Sequence, residues 1–266
     1  MGAVVAVRTQ VVRHEVTGVR RTRVSRVEDL TAQLRRITVA GDDLAGFTSL
    51  AADDHVKLCF PGADGQLLLP EPSPSGGVQW PDGIRPAMRD YTPRRYDPVR
   101  RELELELVVH GDEGPASAWA AAAVPGSLLG VAGPRGSRVV GVDYDAFVLA
   151  GDQTALPAIG RRLEELPPGA RAAVVVEVPD AAEQIDLPSA ADVDLTWVHR
   201  GTAAPAAALL AALAAVDLPA GHVLAWAAGE SSLVRPARTL LAQRCGPAAE
   251  VSVKGYWQLG VADDAP

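Results

Sequence analysis

The feature that most constrains the fold of this chain is a change of pattern near residue 143. After that point, short and largely apolar runs, such as residues 146–150 and 171–178, alternate with stretches of helical character. Strands that are buried on both faces have this composition, and their alternation with helices is typical of a doubly wound parallel sheet. We therefore predict an α/β domain over residues 143–266.

Before that point the pattern is that of short strands with one solvated face. Residues 102–107 repeat the pair Glu-Leu three times, which is the alternation of a half-buried strand. Similar runs lie at 19–27 and 33–39, and the Pro- and Gly-rich residues 70–86 are predicted to form a long loop. Because 266 residues are near the upper limit for one hydrophobic core, we predict a separate antiparallel Greek-key β-barrel over residues 1–142.

The composition excludes several classes of protein. Hydrophobic residues make up 48% of the chain and charged residues 22%, which excludes a disordered or coiled-coil chain. No run reaches the roughly 18 apolar residues of a membrane span, and the first residues alternate instead of forming the apolar core of an export signal. With two cysteines and a formal net charge of −8, we expect a cytoplasmic protein, monomeric and without a nucleic-acid partner.

A barrel followed by an α/β domain resembles the layout of the ferredoxin-reductase-like flavoproteins. Arg89, Tyr91 and Thr92 match the R-x-Y-[ST] motif of that superfamily. A guanidinium can bind the flavin pyrophosphate, a phenol can lie against the isoalloxazine ring, and a hydroxyl can hydrogen-bond near flavin N5. Taken alone, the motif has a second interpretation, in which Tyr91 and Thr92 are ordinary strand residues beside a surface arginine.

Longer blocks of sequence narrow this comparison. They are HGDEGPASAWA at residues 110–120, GDQTALPAI at 151–159, WAAGE at 226–230 followed by Val234, Arg235 and Arg238, and KGYWQLG at 254–260. In the same order they resemble blocks of the siderophore-interacting proteins, a family of FAD-dependent ferric-siderophore reductases. The chain departs from the family pattern at Gln153, where Glu is usual, and at Gln258, where the family has Arg.

The resemblance implies where FAD binds. The FAD pyrophosphate would lie at a helix N-terminus near residue 114, where backbone N–H groups have no partner within the helix. An ordinary Pro-started helix and a structural histidine are the alternative interpretation of this segment. The FAD-binding residues that the resemblance implies are Arg89, Tyr91, Thr92, His110, Gly114, Pro115, Ala116 and Ser117.

The resemblance also implies a nicotinamide site in the α/β domain, at the carboxyl ends of predicted parallel strands, where such sheets bind dinucleotides. Thr92, Thr154 and Trp257 are the implied catalytic residues, although Trp257 can equally be a core residue. The implied nicotinamide-binding residues are Gly151, Asp152, Thr154, Gly229, Glu230 and Arg235.

The choice between NADH and NADPH stays open in the sequence. An acidic residue after the second α/β strand would bind the ribose 2′-hydroxyl of NADH, whereas an arginine would bind the 2′-phosphate of NADPH. Both kinds of residue are present, and we predict NAD(P)H. The acidic candidates are Glu177, Asp180 and Glu183, and the basic candidates are Arg200, Arg235 and Arg238.

Three basic residues are predicted to bind an anionic substrate. Lys57 resembles a family position on the substrate side, Lys254 lies in the closing block, and Arg135 lies in Gly-Pro-Arg-Gly at 133–136. The alternative is that each of them only solvates a loop. We predict no resident metal, because the five histidines and two cysteines are scattered along the chain.

We therefore predict an FAD-dependent oxidoreductase that takes hydride from NAD(P)H and reduces ferric siderophore, so that Fe(II) is released. A second interpretation is a general NAD(P)H:flavin or quinone reductase, or a biosynthetic redox enzyme on the same scaffold. A third, from another class, is a siderophore- or flavin-binding module without turnover.

Overall fold

A computed structural model of the chain describes residues 9–15, 18–72, 78–83, 85–110, 114–219 and 221–261. These residues divide into two units: a barrel unit of residues 13–137, and a sheet unit of residues 138–260 together with 9–12. The predicted domain boundary between residues 142 and 143 stays a prediction. Parts of the predicted 70–86 loop and of the 110–120 block, and the first eight residues, lie outside the described residues.

Among the described residues up to 140, short strands are the commonest regular elements. β7, β4, β10, β2, β3, β9 and β8, in that order, form a seven-stranded sheet whose neighbouring strands run antiparallel. β1 pairs with β11, and β5 with β6. The strands are β1 (Thr9–Arg13), β2 (Val19–Asp29), β3 (Leu34–Ala40), β4 (Val56–Cys59), β5 (Glu71–Pro72), β6 (Val78–Gln79), β7 (Met88–Tyr91), β8 (Arg95–Asp97), β9 (Glu102–Val108), β10 (Leu128–Ala132) and β11 (Gly136–Val140).

The core of the barrel unit follows from the Glu-Leu alternation in β9. Leu103, Leu105 and Leu107 are completely buried in one hydrophobic cluster, and each contributes about 1.5–3 kcal/mol relative to an exposed leucine. Helix α1 (Pro115–Ala122) places two buried alanines in the same cluster. Tyr91 and Trp119 pack against it, so the R-x-Y-[ST] strand and helix α1 share one core.

The sheet unit is a five-stranded parallel sheet in the order β14, β13, β12, β15, β16. In β12, Val148 belongs to the cluster formed with α3 and α4, while its neighbours Phe147 and Leu149 are buried on the opposite face. Both faces are therefore covered, as the largely apolar runs require. The elements are β12 (Ala146–Asp152), α2 (Leu156–Glu165), β13 (Arg171–Val178), β14 (Asp192–His199), α3 (Ala207–Ala215), β15 (Val223–Glu230), α4 (Val234–Cys245) and β16 (Glu250–Trp257).

The predicted fold class is confirmed: an antiparallel barrel-like sheet precedes a doubly wound parallel sheet. The sequence missed β7 and β8, which are three or four residues long and lack alternation. The 70–86 segment also contains β5, β6 and a turn of 3-10 helix at Pro81–Gly83. Among the described helices, none is long and apolar enough to cross a membrane.

Candidate active site

The R-x-Y-[ST] motif lies on β7, at the edge of the barrel sheet. Leu58 pairs with Arg89 and Val56 with Tyr91, which places these side chains on the inward face. Burial raises the pKa of Tyr91 to about 12, against the opposing effect of the nearby Arg89 guanidinium. The phenol therefore keeps its proton at physiological pH and remains a hydrogen-bond donor.

The turn after β7 is held by a buried ion cluster that the sequence did not predict. Thr92 is buried, and two residues later the Arg94 N–H donates to the Glu104 carbonyl at 2.9 Å. The Arg94 guanidinium lies 3.5 Å from the buried Glu106 carboxylate, which also accepts from Arg36 at 2.6 Å. These contacts fix the backbone beside Thr92. The sequence offers one sign of these contacts, which is that Arg94 lies next to the motif and Glu106 lies in the Glu-Leu strand.

The first turn of α1 is anchored by a side chain that the sequence placed in the FAD site. The Ser117 hydroxyl is buried and accepts a hydrogen bond from the His110 backbone N–H at 2.9 Å. Ser117 therefore ties the end of β9 to the helix, while the His110 side chain is exposed. Pro115 occupies the first turn, preceded by Gly114 with φ of 99°.

In the sheet unit, three strand ends meet at one buried carboxylate, that of Asp152. Its Oδ1 accepts from the Thr154 N–H at 2.9 Å and from the Thr154 hydroxyl at 2.5 Å. Its Oδ2 accepts from the Glu230 N–H at 2.9 Å and from the Trp257 indole N–H at 2.8 Å. Burial raises the pKa of Asp152, although these hydrogen bonds favour its ionised form. We call Asp152, Thr154, Glu230 and Trp257 the carboxylate hub.

Glu230 extends the hub outward. Its carboxylate accepts from the Ser232 N–H at 2.7 Å, from the Ser232 hydroxyl, and from the Leu259 N–H at 3.2 Å. Burial alone would raise the pKa of Glu230, but these hydrogen bonds hold it below its ordinary value. Before it, Gly229 has φ of 155°, and a Cβ there would lie 2.6 Å from Asp152 Oδ2. Only glycine fits at this strand end.

The remaining predicted nicotinamide residues lie near these strand ends. Gly151 is the penultimate residue of β12, directly before Asp152. Arg235 is exposed in the first turn of α4. Lys254, which was predicted to bind substrate, lies on β16 opposite Ala228. The structure thus brings residues from distant parts of the sequence to the carboxyl end of one sheet.

The acidic residues that the sequence offered for the ribose hydroxyl have other partners. Glu177 is buried, and its carboxylate accepts from the Leu209 N–H of α3 at 3.0 Å. Glu183 is also buried and accepts from the Gln153 side chain at 2.8 Å. The Asp180 carboxylate accepts from the Ala182 N–H at 2.8 Å. Glu177 and Glu183 are thus buried with internal partners, whereas Asp180 is exposed, and the interpretation of these residues as ribose ligands stays a prediction.

The barrel-unit residues predicted to bind substrate are exposed. Lys57 lies on β4, and its ammonium is ion-paired with Asp90 at 3.0 Å. Arg135 lies in the turn between β10 and β11, where the Arg20 guanidinium donates to the Gly133 carbonyl at 2.9 Å. The sequence did not predict the partner of Lys57, although Asp90 occupies the variable position of the R-x-Y-[ST] motif.

Comparisons with known proteins cover both units. The description "Siderophore-interacting FAD-binding domain" matches residues 23–138, and "Siderophore-interacting protein" matches residues 144–260. An NADPH-dependent ferric-chelate reductase of Escherichia coli is 39% identical over 88% of this chain and 91% of its own length. This chain belongs to the siderophore-interacting protein family. The family predicted from the sequence blocks is thereby confirmed.

Two further relatives agree with this membership. The ferric vibriobactin reductase ViuB of Vibrio cholerae is 32% identical over 89% of this chain and 88% of its own length. The crystal structure of a siderophore utilization protein from T. fusca superposes with a TM-score of 0.86 at 39% identity, over 96% of this chain and 98% of that one. The similarity therefore extends over both the antiparallel sheet and the parallel sheet.

The barrel unit of this siderophore-interacting protein fits an FAD. A Cβ added at Gly114 would meet nothing within 4 Å, so a ligand can approach the backbone at the start of α1. The first turn of α1 carries no acidic residue, and its N–H groups and dipole favour a phosphate. Arg89 donates through Nη1 to the Met88 carbonyl at 2.8 Å, and a guanidinium has further donors for a pyrophosphate.

A resident metal has no comparable site in the described part of the chain. There, no group of three or more His, Cys, Asp or Glu side chains is arranged to hold a metal ion. In a ferric-chelate reductase the iron is part of the substrate.

Proposed function

We propose that this chain is an FAD-dependent reductase that takes electrons from NAD(P)H and reduces ferric siderophore. The observation that carries the proposal is the 39% identity, over nearly the whole of both chains, to an NADPH-dependent ferric-chelate reductase. The predicted cofactor and activity class are confirmed at this level. In balance, one NAD(P)H yields NAD(P)⁺, a proton and two electrons, and each of two Fe(III) ions takes one electron. Fe(II) binds hard oxygen ligands less tightly, so iron is released.

When bound, FAD would supply the change from two-electron hydride transfer to single-electron transfer. The chain's own residues bind and orient it. We propose that Arg89 and the N-terminus of α1 bind the pyrophosphate, and that Tyr91 lies against the isoalloxazine. The buried Thr92 hydroxyl would hydrogen-bond near flavin N5, in a turn whose backbone the Arg94–Glu106 pair keeps fixed.

In the sheet unit, the carboxylate hub would orient the nicotinamide. The Thr154 hydroxyl and the Trp257 indole N–H each donate a hydrogen bond to Asp152, which fixes the direction of the threonine side chain and of the indole ring. Such preorganisation limits the motion of the groups that line a hydride-transfer site. Asp152 then acts by positioning these two side chains.

Burial of two of the three acidic candidates favours NADPH as donor. Glu177 and Glu183 are buried and each accepts an internal hydrogen bond, so neither presents an exposed carboxylate that would repel a ribose 2′-phosphate, and Asp180 is the exposed one. Arg200, at the end of β14, lies 3.8 Å from Glu177 and is one candidate for binding that phosphate. The name of the E. coli relative agrees with this preference.

The proposal also includes the setting of the reaction. We propose that the enzyme is cytoplasmic, because NADPH is supplied in the cytoplasm. We also propose that it is monomeric. Both cysteines, Cys59 and Cys245, are buried free thiols, which suits a reducing compartment.

Rapid mixing of the purified holoenzyme tests this function directly. NADPH is expected to bleach the flavin absorption anaerobically, faster than NADH does, and a ferric chelate is then expected to restore it. A colourless protein would instead support a binding module without turnover. Restoration by quinones but by no ferric chelate would support the general reductase.

We expect the basic residues to govern capture of an anionic chelate. Replacing Lys57 or Lys254 with alanine should raise the apparent KM about threefold per charge at low salt, because each lysine attracts the chelate through screened Coulomb forces. The salt dependence of KM should flatten, while flavin reduction by NADPH stays unchanged. The exposed Arg100, replaced by alanine, is the matched control for net charge. An unchanged KM in the Lys57–Lys254 double variant would contradict this role of the two lysines.

A further inference from the structure

The Lys57–Asp90 pair lies on the outward face of the barrel sheet. The two residues are directly opposite each other on β4 and β7, with Nζ 3.0 Å from Oδ1 and side chains 50% and 48% exposed. The strand neighbours of Lys57, which are Val56 and Leu58, are completely buried. Because side chains alternate along a strand, Asp90 points away from the face that carries Arg89 and Tyr91.

One further basic side chain follows the neighbouring strand. On the other side of the pair, β4 pairs with β10, where Ala132 lies opposite Lys57 and the chain continues to the exposed Arg135. His55 is also exposed and lies directly before β4, two residues from Lys57. Among these positions Asp90 is the acidic one, and its carboxylate offsets the charge of the lysine predicted to meet the substrate.

An exposed ion pair of this kind contributes little to stability, so stability gives no strong reason for its presence. Its effect on an approaching ligand is larger. A trianionic chelate is attracted by the Lys57 ammonium and repelled by the Asp90 carboxylate, so Asp90 offsets the attraction that the lysine alone would supply. A neutral chelate experiences neither effect. Asp90 therefore lowers the advantage that Lys57 gives to a polyanionic chelate over a neutral one.

We propose that Asp90 is a specificity-determining residue, whose ion pair with Lys57 disfavours polyanionic ferric chelates and selects chelates of low charge, such as neutral ferric tris-hydroxamates. This inference rests on the proposed function, in which Lys57 meets the substrate. It adds the class of chelate that the enzyme accepts.

The test uses the NADPH-reduced holoenzyme and two probes, a trianionic ferric tris-catecholate and a neutral ferric tris-hydroxamate. Each reduced flavin gives one electron to each of two Fe(III) chelates, and stopped-flow absorption follows its reoxidation. In Asp90→Asn, the ratio of the tris-catecholate rate to the tris-hydroxamate rate is expected to rise about 5- to 10-fold at low ionic strength, and to return toward the wild-type ratio at high salt. Asparagine has nearly the same size, so the change is one of charge.

Asp42→Asn is the matched control, since it removes the same charge from another exposed ion pair of the barrel unit, with Arg101. Its ratio should stay within about twofold of the wild type, because a distant surface charge is screened. An equal ratio in Asp90→Asn and Asp42→Asn would overturn the proposal, as would an equal acceleration of both probes by Asp90→Asn.

Lys57→Met separates this failure from a failure of the substrate site. If Lys57→Met slows the tris-catecholate while Asp90→Asn has no effect, Lys57 meets the chelate and the role of Asp90 is wrong. If neither variant changes the ratio, Lys57 is not at the substrate. The reductase itself would then still stand on its NADPH and chelate kinetics.

Discussion

Arg89→Ala is expected to yield a folded protein that has lost most of its FAD. The guanidinium is placed to make a charge-assisted contact with the pyrophosphate, and such a contact contributes about 1.5–3 kcal/mol, or roughly a 10- to 150-fold change in Kd. Arg89 Nη1 donates its hydrogen bond to the carbonyl of the adjacent Met88, so losing this hydrogen bond removes no tertiary contact. The measurement is the ratio of flavin to protein absorption after gel filtration, followed by titration of the apoprotein with FAD.

Arg100→Ala provides the matched control for this prediction. Arg100 is an exposed arginine of the same unit, 3.9 Å from Asp97 on the turn after β8. The Arg100→Ala variant should retain the wild-type flavin content. Its melting temperature should equal that of Arg89→Ala measured with excess FAD. Full flavin occupancy in Arg89→Ala would show that the pyrophosphate is bound elsewhere.

Asp152→Asn is expected to slow flavin reduction by NADPH by about 100-fold or more while FAD remains bound. Each oxygen of the Asp152 carboxylate accepts two hydrogen bonds, and the asparagine amide replaces one oxygen by a group that donates. The two buried donors that contacted the replaced oxygen then face the amide NH₂ group, which cannot accept their hydrogen bonds. Each donor left unpaired costs about 1–3 kcal/mol. The hub must rearrange, so Thr154 and Trp257 lose their fixed directions. Anaerobic stopped-flow absorption measures the effect on hydride transfer.

Trp257→Phe is the graded comparison. It keeps an aromatic ring and removes one donor, while Asp152 Oδ2 still accepts from the Glu230 N–H. We expect a slowing of about 10-fold, the value of one hydrogen bond of about 1.4 kcal/mol. Chemically reduced enzyme should pass electrons to a ferric chelate at the wild-type rate in both variants. A wild-type rate of flavin reduction in Asp152→Asn would contradict the role of the hub.

The sequence predicted the central strands of the parallel sheet well because they are buried on both faces. The largely apolar run of residues 171–178 follows from that burial, and β13 spans the same residues. β7 lies at the edge of its sheet, is four residues long and mixes exposed with half-buried positions. Its pattern carries no period, so the motif it bears could be recognised while the strand could not.

The sequence indicated which residues lie in the candidate site, but not what each of them does there. The family blocks identify Asp152, yet its partners Glu230 and Trp257 lie 78 and 105 residues further along the chain. No local pattern reports pairing over such distances. The same holds for Glu177, which follows a strand as a ribose ligand would and accepts from the N-terminus of α3. Where a carboxylate is surrounded by backbone N–H groups, only the fold decides between ligand and cap.

The carboxylate hub has a consequence for how the enzyme matures. Its donors lie just after β12, on β15 and on β16, so all four hydrogen bonds can be present together only after β16 has joined the sheet. Contacts that are distant in sequence form late in folding and are among the costliest in chain entropy. Because Trp257 lies on β16, its hydrogen bond to Asp152 is the last of the four that becomes possible as the chain is synthesised.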